Sequence, residues 1–136
     1  MLDSYFDRRV GNVLLLDPAR LVPTDLSAPS LRRETVDGWS LGRRIELART
    51  DLQRLCEGWT PADVDLANAP VLIDWKLVIT GGGLAIEGVV AGHPGIARGH
   101  RVQTSLLIAL DIGRQRWART VSRFYMLGPN GGPPPH

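Results

Sequence analysis

The chain has 136 residues, with 16 Lys and Arg against 14 Asp and Glu, and a single cysteine. That length suits one domain with one core. Lone Cys56 rules out an internal disulfide and a cysteine-held zinc, and fits a core helical position. No run approaches the ~18 to 20 apolar residues of a membrane-spanning helix, and the start, Met1 to Asp7, lacks the basic stretch and apolar centre of an export signal, so a cytoplasmic protein is expected.

Charge is divided along the chain. Residues 1–70 hold nine arginines against eleven acids, a net −2, whereas residues 71–136 hold six arginines and Lys76 against Asp74, Glu87 and Asp111, a net +4. A basic half can draw phosphate backbones or an acidic protein surface towards it by long-range field.

Residues 1–30 read as an irregular arm. Tyr5, Phe6, Val10 and Val13 to Leu16 are apolar, but Gly11, Pro18, Pro23 and Pro29 interrupt any long element. So many apolar groups are expected to dock on their own domain or on a second copy, giving a homo-oligomer through the arm. Ser40 then offers a cap for a main helix whose apolar face is Leu41, Ile45, Ala48, Leu52 and Leu55, and Gly58 supplies the stop. Thr60-Pro61-Ala62-Asp63 suggests a short further turn of helix, with Thr60 as cap and proline at its first position, ended by Pro70.

From Val71 to Leu127 apolar residues recur with a period of two, the mark of a small antiparallel sheet. The first strand, Val71 to Thr80, places Val71, Ile73, Trp75, Leu77 and Ile79 on one face, with Trp75 turned inward. Gly81 to Gly83 reverses the chain into a second strand, Leu84 to Val90. A third runs from Val102 to Asp111, and a fourth, after the turn at Gly113 to Arg116, from Trp117 to Leu127. The expected fold is thus α+β: a four-stranded antiparallel meander packed against one main amphipathic helix, with the irregular arm at 1–30, a single domain at 31–128 and a disordered Gly- and Pro-rich tail at 129–136.

Particular residues within this pattern carry a resemblance. Leu52 to Leu55, Ala69-Pro70, Asp74-Trp75, Gly92-His93-Pro94, Gly99, Thr104-Ser105, Trp117 to Thr120, Ser122 to Tyr125 and Leu127-Gly128 together resemble a small bacterial domain family of unknown function. The resemblance spans about residues 50–128, implies a compact cytoplasmic domain, and transfers no site.

Catalytic patterns are weak. His93 lies between Gly92 and Pro94, where it is expected to shape its loop, and neither His100 nor His136 stands at a metal-ligand spacing from it. Ser105 lacks the glycine-flanked elbow of a nucleophile, and Gly81 to Gly83 leads into a strand instead of the helix a phosphate cradle requires. The acids Asp74, Glu87 and Asp111 read as charges at sheet edges. No enzyme, cofactor or metal is therefore expected. What remains is a set of cations and aromatics: Arg98 and Arg101 in a loop, Arg114 and Arg116 in the last turn, and Trp117, Arg119, Arg123 and Tyr125 on the fourth strand. Arginine forks onto phosphate and stacks on bases, so these eight residues are expected to form the face of a binding or regulatory module that contacts nucleic acid. The alternative is a protein-interaction module, an inhibitor or adaptor of the kind a mobile element carries, using the same face or the arm.

Overall fold

A computed structural model describes residues 2–21, 40–80 and 83–128. The tail at 129–136, Pro23, Pro29 and the Gly81-Gly82 part of the hairpin turn lie outside the described residues. The main helix, α1, spans Leu41–Cys56. The Ser40 hydroxyl accepts from the Arg43 amide at 3.1 Å, and Gly58 closes the helix at φ +99°. Ala48, Leu52 and Leu55 are its buried stripe. A second, short helix, α2, covers Asp63–Leu66. It begins later than Thr60 because the Asp65 carboxylate accepts from the Ala62 amide at 2.8 Å, making Ala62 the cap.

The expected four-stranded meander is corrected by the sheet itself. Eight strands join in one mixed sheet in the order β1-β2-β6-β7-β8-β3-β4-β5. They are β1 Arg8–Val10, β2 Val13–Leu15, β3 Val71–Thr80, β4 Gly83–Ala91, β5 Arg101–Gln103, β6 Leu107–Asp111, β7 Trp117–Thr120 and β8 Phe124–Leu127. Three local causes separate this sheet from the meander, and each is visible in hydrogen bonds.

The described part of the arm, residues 2–21, is not irregular. Gly11, at φ +58°, and Asn12 make a two-residue turn between β1 and β2, and β2 pairs antiparallel with β6. Phe6, Leu14, Leu15 and Leu16 are buried in this chain's own core, which removes the reason for expecting a homo-oligomer through the arm.

The third expected strand breaks at Thr104. Its amide donates to the Ile86 carbonyl at 2.8 Å while its hydroxyl accepts from the Ile86 amide at 3.0 Å, completing the link to β4. Beyond it the chain leaves β4 and becomes β6, between β2 and β7. The fourth expected strand breaks at Val121 to Arg123. There the Thr120 hydroxyl accepts from the Ser122 and Arg123 amides at 3.2 and 3.3 Å, folding the segment into a β7–β8 hairpin. β8 then pairs parallel with β3 through Val71↔Met126 and Leu72↔Leu127.

A bulge between Ile73 and Lys76, with Asp74 at φ +52°, also shifts the faces of β3. Leu72, Trp75 and Leu77 are buried, whereas Ile73 is 38% exposed, so strict alternation fails at one point. Trp75 faces inward as expected, and its indole donates to the Gly128 carbonyl at 3.1 Å.

The sheet curls until β4 touches β6, although the two are not neighbours in the ladder. All five residues of β6 and all four of β7 are consequently buried. No helix among the described residues is long and apolar enough to cross a membrane.

Candidate functional site

The eight residues expected to share a binding face fall into separate places. Arg119 is the clearest departure. It is 4% exposed, and its Nε and Nη2 both donate to Asp51 Oδ2 of α1 at 3.1 Å, while Nη1 donates to the Thr120 carbonyl at 2.9 Å. Burial pulls this guanidinium below its ordinary range, and the Asp51 carboxylate opposes that shift. Arg119 therefore ties the sheet to the helix; it does not lie on an exposed face, and the break at residues 121–123 separates it from the strand of Tyr125.

Its neighbours repeat the theme. The Arg119 guanidinium lies 5.2 Å from the Phe124 ring centroid, Phe124 packs edge-on against Trp117 at 5.8 Å and Trp59 at 6.2 Å, and Arg54 covers the Trp59 ring at 3.8 Å. Cations and aromatics do interleave here, but largely as the packing between α1, the segment after it and the β7–β8 hairpin.

Tyr125 is also buried, stacked on His93 with ring centroids 6.4 Å apart. Burial raises the pKa of its phenol, and the neighbouring Arg123 works against that rise. His93 Nδ1 accepts from the Gly95 amide at 3.0 Å, which fixes the loop after β4. Burial foremost, and then the Arg123 charge, hold the His93 pKa below its ordinary 6.5. Arg101 pairs with Glu87 at 2.9 Å and Asp74 at 3.7 Å, and Arg98 is exposed in the preceding loop.

Arg114, Arg116 and Trp117 do come together. The turn from Asp111 to Arg116 is held by a buried carboxylate: Asp111 Oδ1 accepts from the Arg114 amide and Oδ2 from the Arg116 amide, both at 3.3 Å. The Asp111 carbonyl accepts from the Gln115 amide at 2.7 Å, and the Arg116 carbonyl accepts from Leu127 at 2.8 Å. Asp111 is thus an internal fastener, not a charge at a sheet edge. Against this turn packs the β1–β2 turn, where the Gly113 amide donates to the Asn12 carbonyl at 3.1 Å. A Cβ at Gly113 would collide with the Asn12 side chain, so glycine permits the approach.

Between the two turns and the segment after α1 lies a cleft of about 310 Å³. Arg114 and Arg116 line it beside Asn12 and Thr60, with buried Leu55 and Trp117 behind them. Arg116 pairs with exposed Asp63 at 3.1 Å. Arg114 is exposed and has no carboxylate partner among the described residues. Arg9 Nε donates to the Gly11 carbonyl at 2.9 Å, and Arg9 lines a separate pocket with Phe6, Asp7, Arg8 and Leu14. Sequence reasoning missed Asn12 and Thr60. The signal for the first was legible, since Gly11-Asn12 between apolar Val10 and Val13 has the form of a hairpin turn.

Among the described residues no three His, Cys, Asp or Glu side chains stand close enough to hold a metal ion. The Ser105 hydroxyl meets the Ser122 hydroxyl at 3.0 Å. No curated protein and no solved structure matches the chain. The family of unknown function DUF6634 matches residues 39–131, a span that includes α1 and β3 to β8 but leaves out the β1–β2 hairpin and its wall of the cleft. The chain belongs to that family of unknown function.

Proposed function

We propose that this protein is a non-enzymatic binding module that contacts nucleic acid at the cleft between the β1–β2 and β6–β7 turns. One observation carries the reading: Arg114 lines a polar cleft without a carboxylate partner among the described residues, on a turn whose backbone is already fixed by Asp111. An arginine so placed meets an anion with little further ordering, and its forked donors suit phosphate oxygens. Arg116 adds to the field, and the basic charge of residues 71–136 strengthens it at longer range.

A non-catalytic role is favoured by the occupation of the reactive groups. His93 Nδ1 is engaged with a backbone amide, and the Ser105 hydroxyl is engaged with the Ser122 hydroxyl. The test is fluorescence anisotropy with single-stranded and duplex oligonucleotides at low salt, where electrostatic association is strongest. Replacing both Arg114 and Arg116 with alanine should weaken binding and flatten the dependence of log affinity on log salt by roughly 1.4 to 1.8, at about 0.7 to 0.9 per lost phosphate contact. Absence of binding by the wild-type protein would overturn the reading, and an acidic protein surface would then become the partner to seek.

A further inference from the structure

Resting on the nucleic-acid reading, we infer that the cleft takes a terminal phosphate monoester of a strand instead of its continuous backbone. A surface that tracks a backbone needs cations in succession along a path. Here the cations that line the cleft, Arg114 and Arg116, stand on one turn, and the side towards α2 is acidic. Towards α2 stand Asp63, 94% exposed at its side chain, and Asp65. Along the arm, Asp7 and Asp17 pair with Arg20 and Arg8, so these cations are already matched. A phosphodiester chain leaving towards α2 meets carboxylates and one leaving along the arm meets cations already paired, whereas a strand that ends in the cleft need leave by only one route.

Size and charge agree. A volume of about 310 Å³ lies at the small end of the ~300 to 1,000 Å³ typical of small-molecule sites. Single nucleic-acid-binding modules commonly bury ~600 to 1,000 Å² of surface, more than one such cleft supplies. A phosphate monoester carries about −1.5 to −2 at neutral pH and presents three oxygens, where a diester carries a single charge. Two guanidinium forks on one turn, Arg114 without a carboxylate partner among the described residues and Arg116 exchanging its exposed partner Asp63 for phosphate, discriminate between those forms more strongly than dispersed cations do.

The experiment uses the full chain and internally labelled single strands of about ten nucleotides, a length within the usual site sizes for such binders. The strands carry a 5′-phosphate, a 3′-phosphate or hydroxyls at both ends. One of the phosphorylated ends should raise affinity about tenfold over the hydroxyl strand. Arg114→Ala should erase that preference, Arg114→Lys should restore part of it, and Arg98→Ala, remote from the cleft, should leave it intact. Equal binding of all three strands would overturn the terminal-phosphate inference while leaving the nucleic-acid reading in place. Binding of none would overturn both.

Discussion

Arg114 and Arg119 are close neighbours in sequence and opposites in structure. Arg119 sits on β7, where α1 covers the strand, and its guanidinium is closed into Asp51 and a backbone carbonyl. Arg114 sits in the turn before that strand, and among the described residues only its backbone is bound. Residue type and local charge are alike; what differs is whether the backbone is in a covered strand or a capped turn. A basic stretch is therefore not one surface, and its cations must be sorted by the element that carries them before a partner is proposed.

The comparison breaks most severely if the arm is removed. Deleting residues 1–21 strips β6 of its neighbour β2 and takes away buried Leu14, Leu15 and Leu16. At about 1.5 to 3 kcal/mol for each buried leucine, against a typical total stability of ~5 to 15 kcal/mol, cooperative unfolding should be lost. Thermal melting by circular dichroism checks this, and a sharp transition in the truncated chain would show the hairpin to be an accessory.

Arg119→Met should cost about 2 to 3 kcal/mol in chemical denaturation, below the full penalty for an orphaned buried charge because Arg54 still lies 3.8 Å from Asp51. A loss under about 0.5 kcal/mol would mean that the pair is solvated. Asp111→Ala should cost roughly 1 to 3 kcal/mol, since the Arg114 and Arg116 amides lose their acceptor. Unlike the Arg119 substitution, it should also weaken oligonucleotide binding by loosening the turn.

A smaller effect concerns His93. Its folded pKa is depressed, so the unfolded chain takes up its proton first as pH falls. The stabilising contribution is present above pH ~6.5, declines as pH drops through that value towards the folded pKa, and is absent below both. Urea midpoints at pH 7 and pH 5 should differ less in His93→Asn than in the wild type, and an unchanged difference would show that the Gly95 contact does not need a neutral ring.

Much of this was legible in the chain. Ser40 and Gly58 marked the ends of α1, the spacing of Ala48, Leu52 and Leu55 marked its buried face, and β3 and β4 read clearly as a hairpin. Strand continuity did not, because alternation persists through Thr104 and Val121 while side-chain hydroxyls bind the backbone and redirect it. Nor did the burial of Arg119, since its partner Asp51 is 68 residues away in sequence. The aromatic and basic composition around Trp117 was real, but whether it forms a surface or packing depends on α1, whose placement no local pattern reports.

The most direct test measures stability and oligonucleotide affinity together for Arg114→Ala and Arg119→Met, with affinity read at low temperature where both variants are folded. The account predicts a crossed result: Arg114→Ala keeps wild-type stability within about 0.5 kcal/mol and loses binding, whereas Arg119→Met is destabilised and binds like the wild type. If Arg119→Met loses affinity while Arg114→Ala keeps it, the contact surface lies on β7 and the division between turn and strand is wrong.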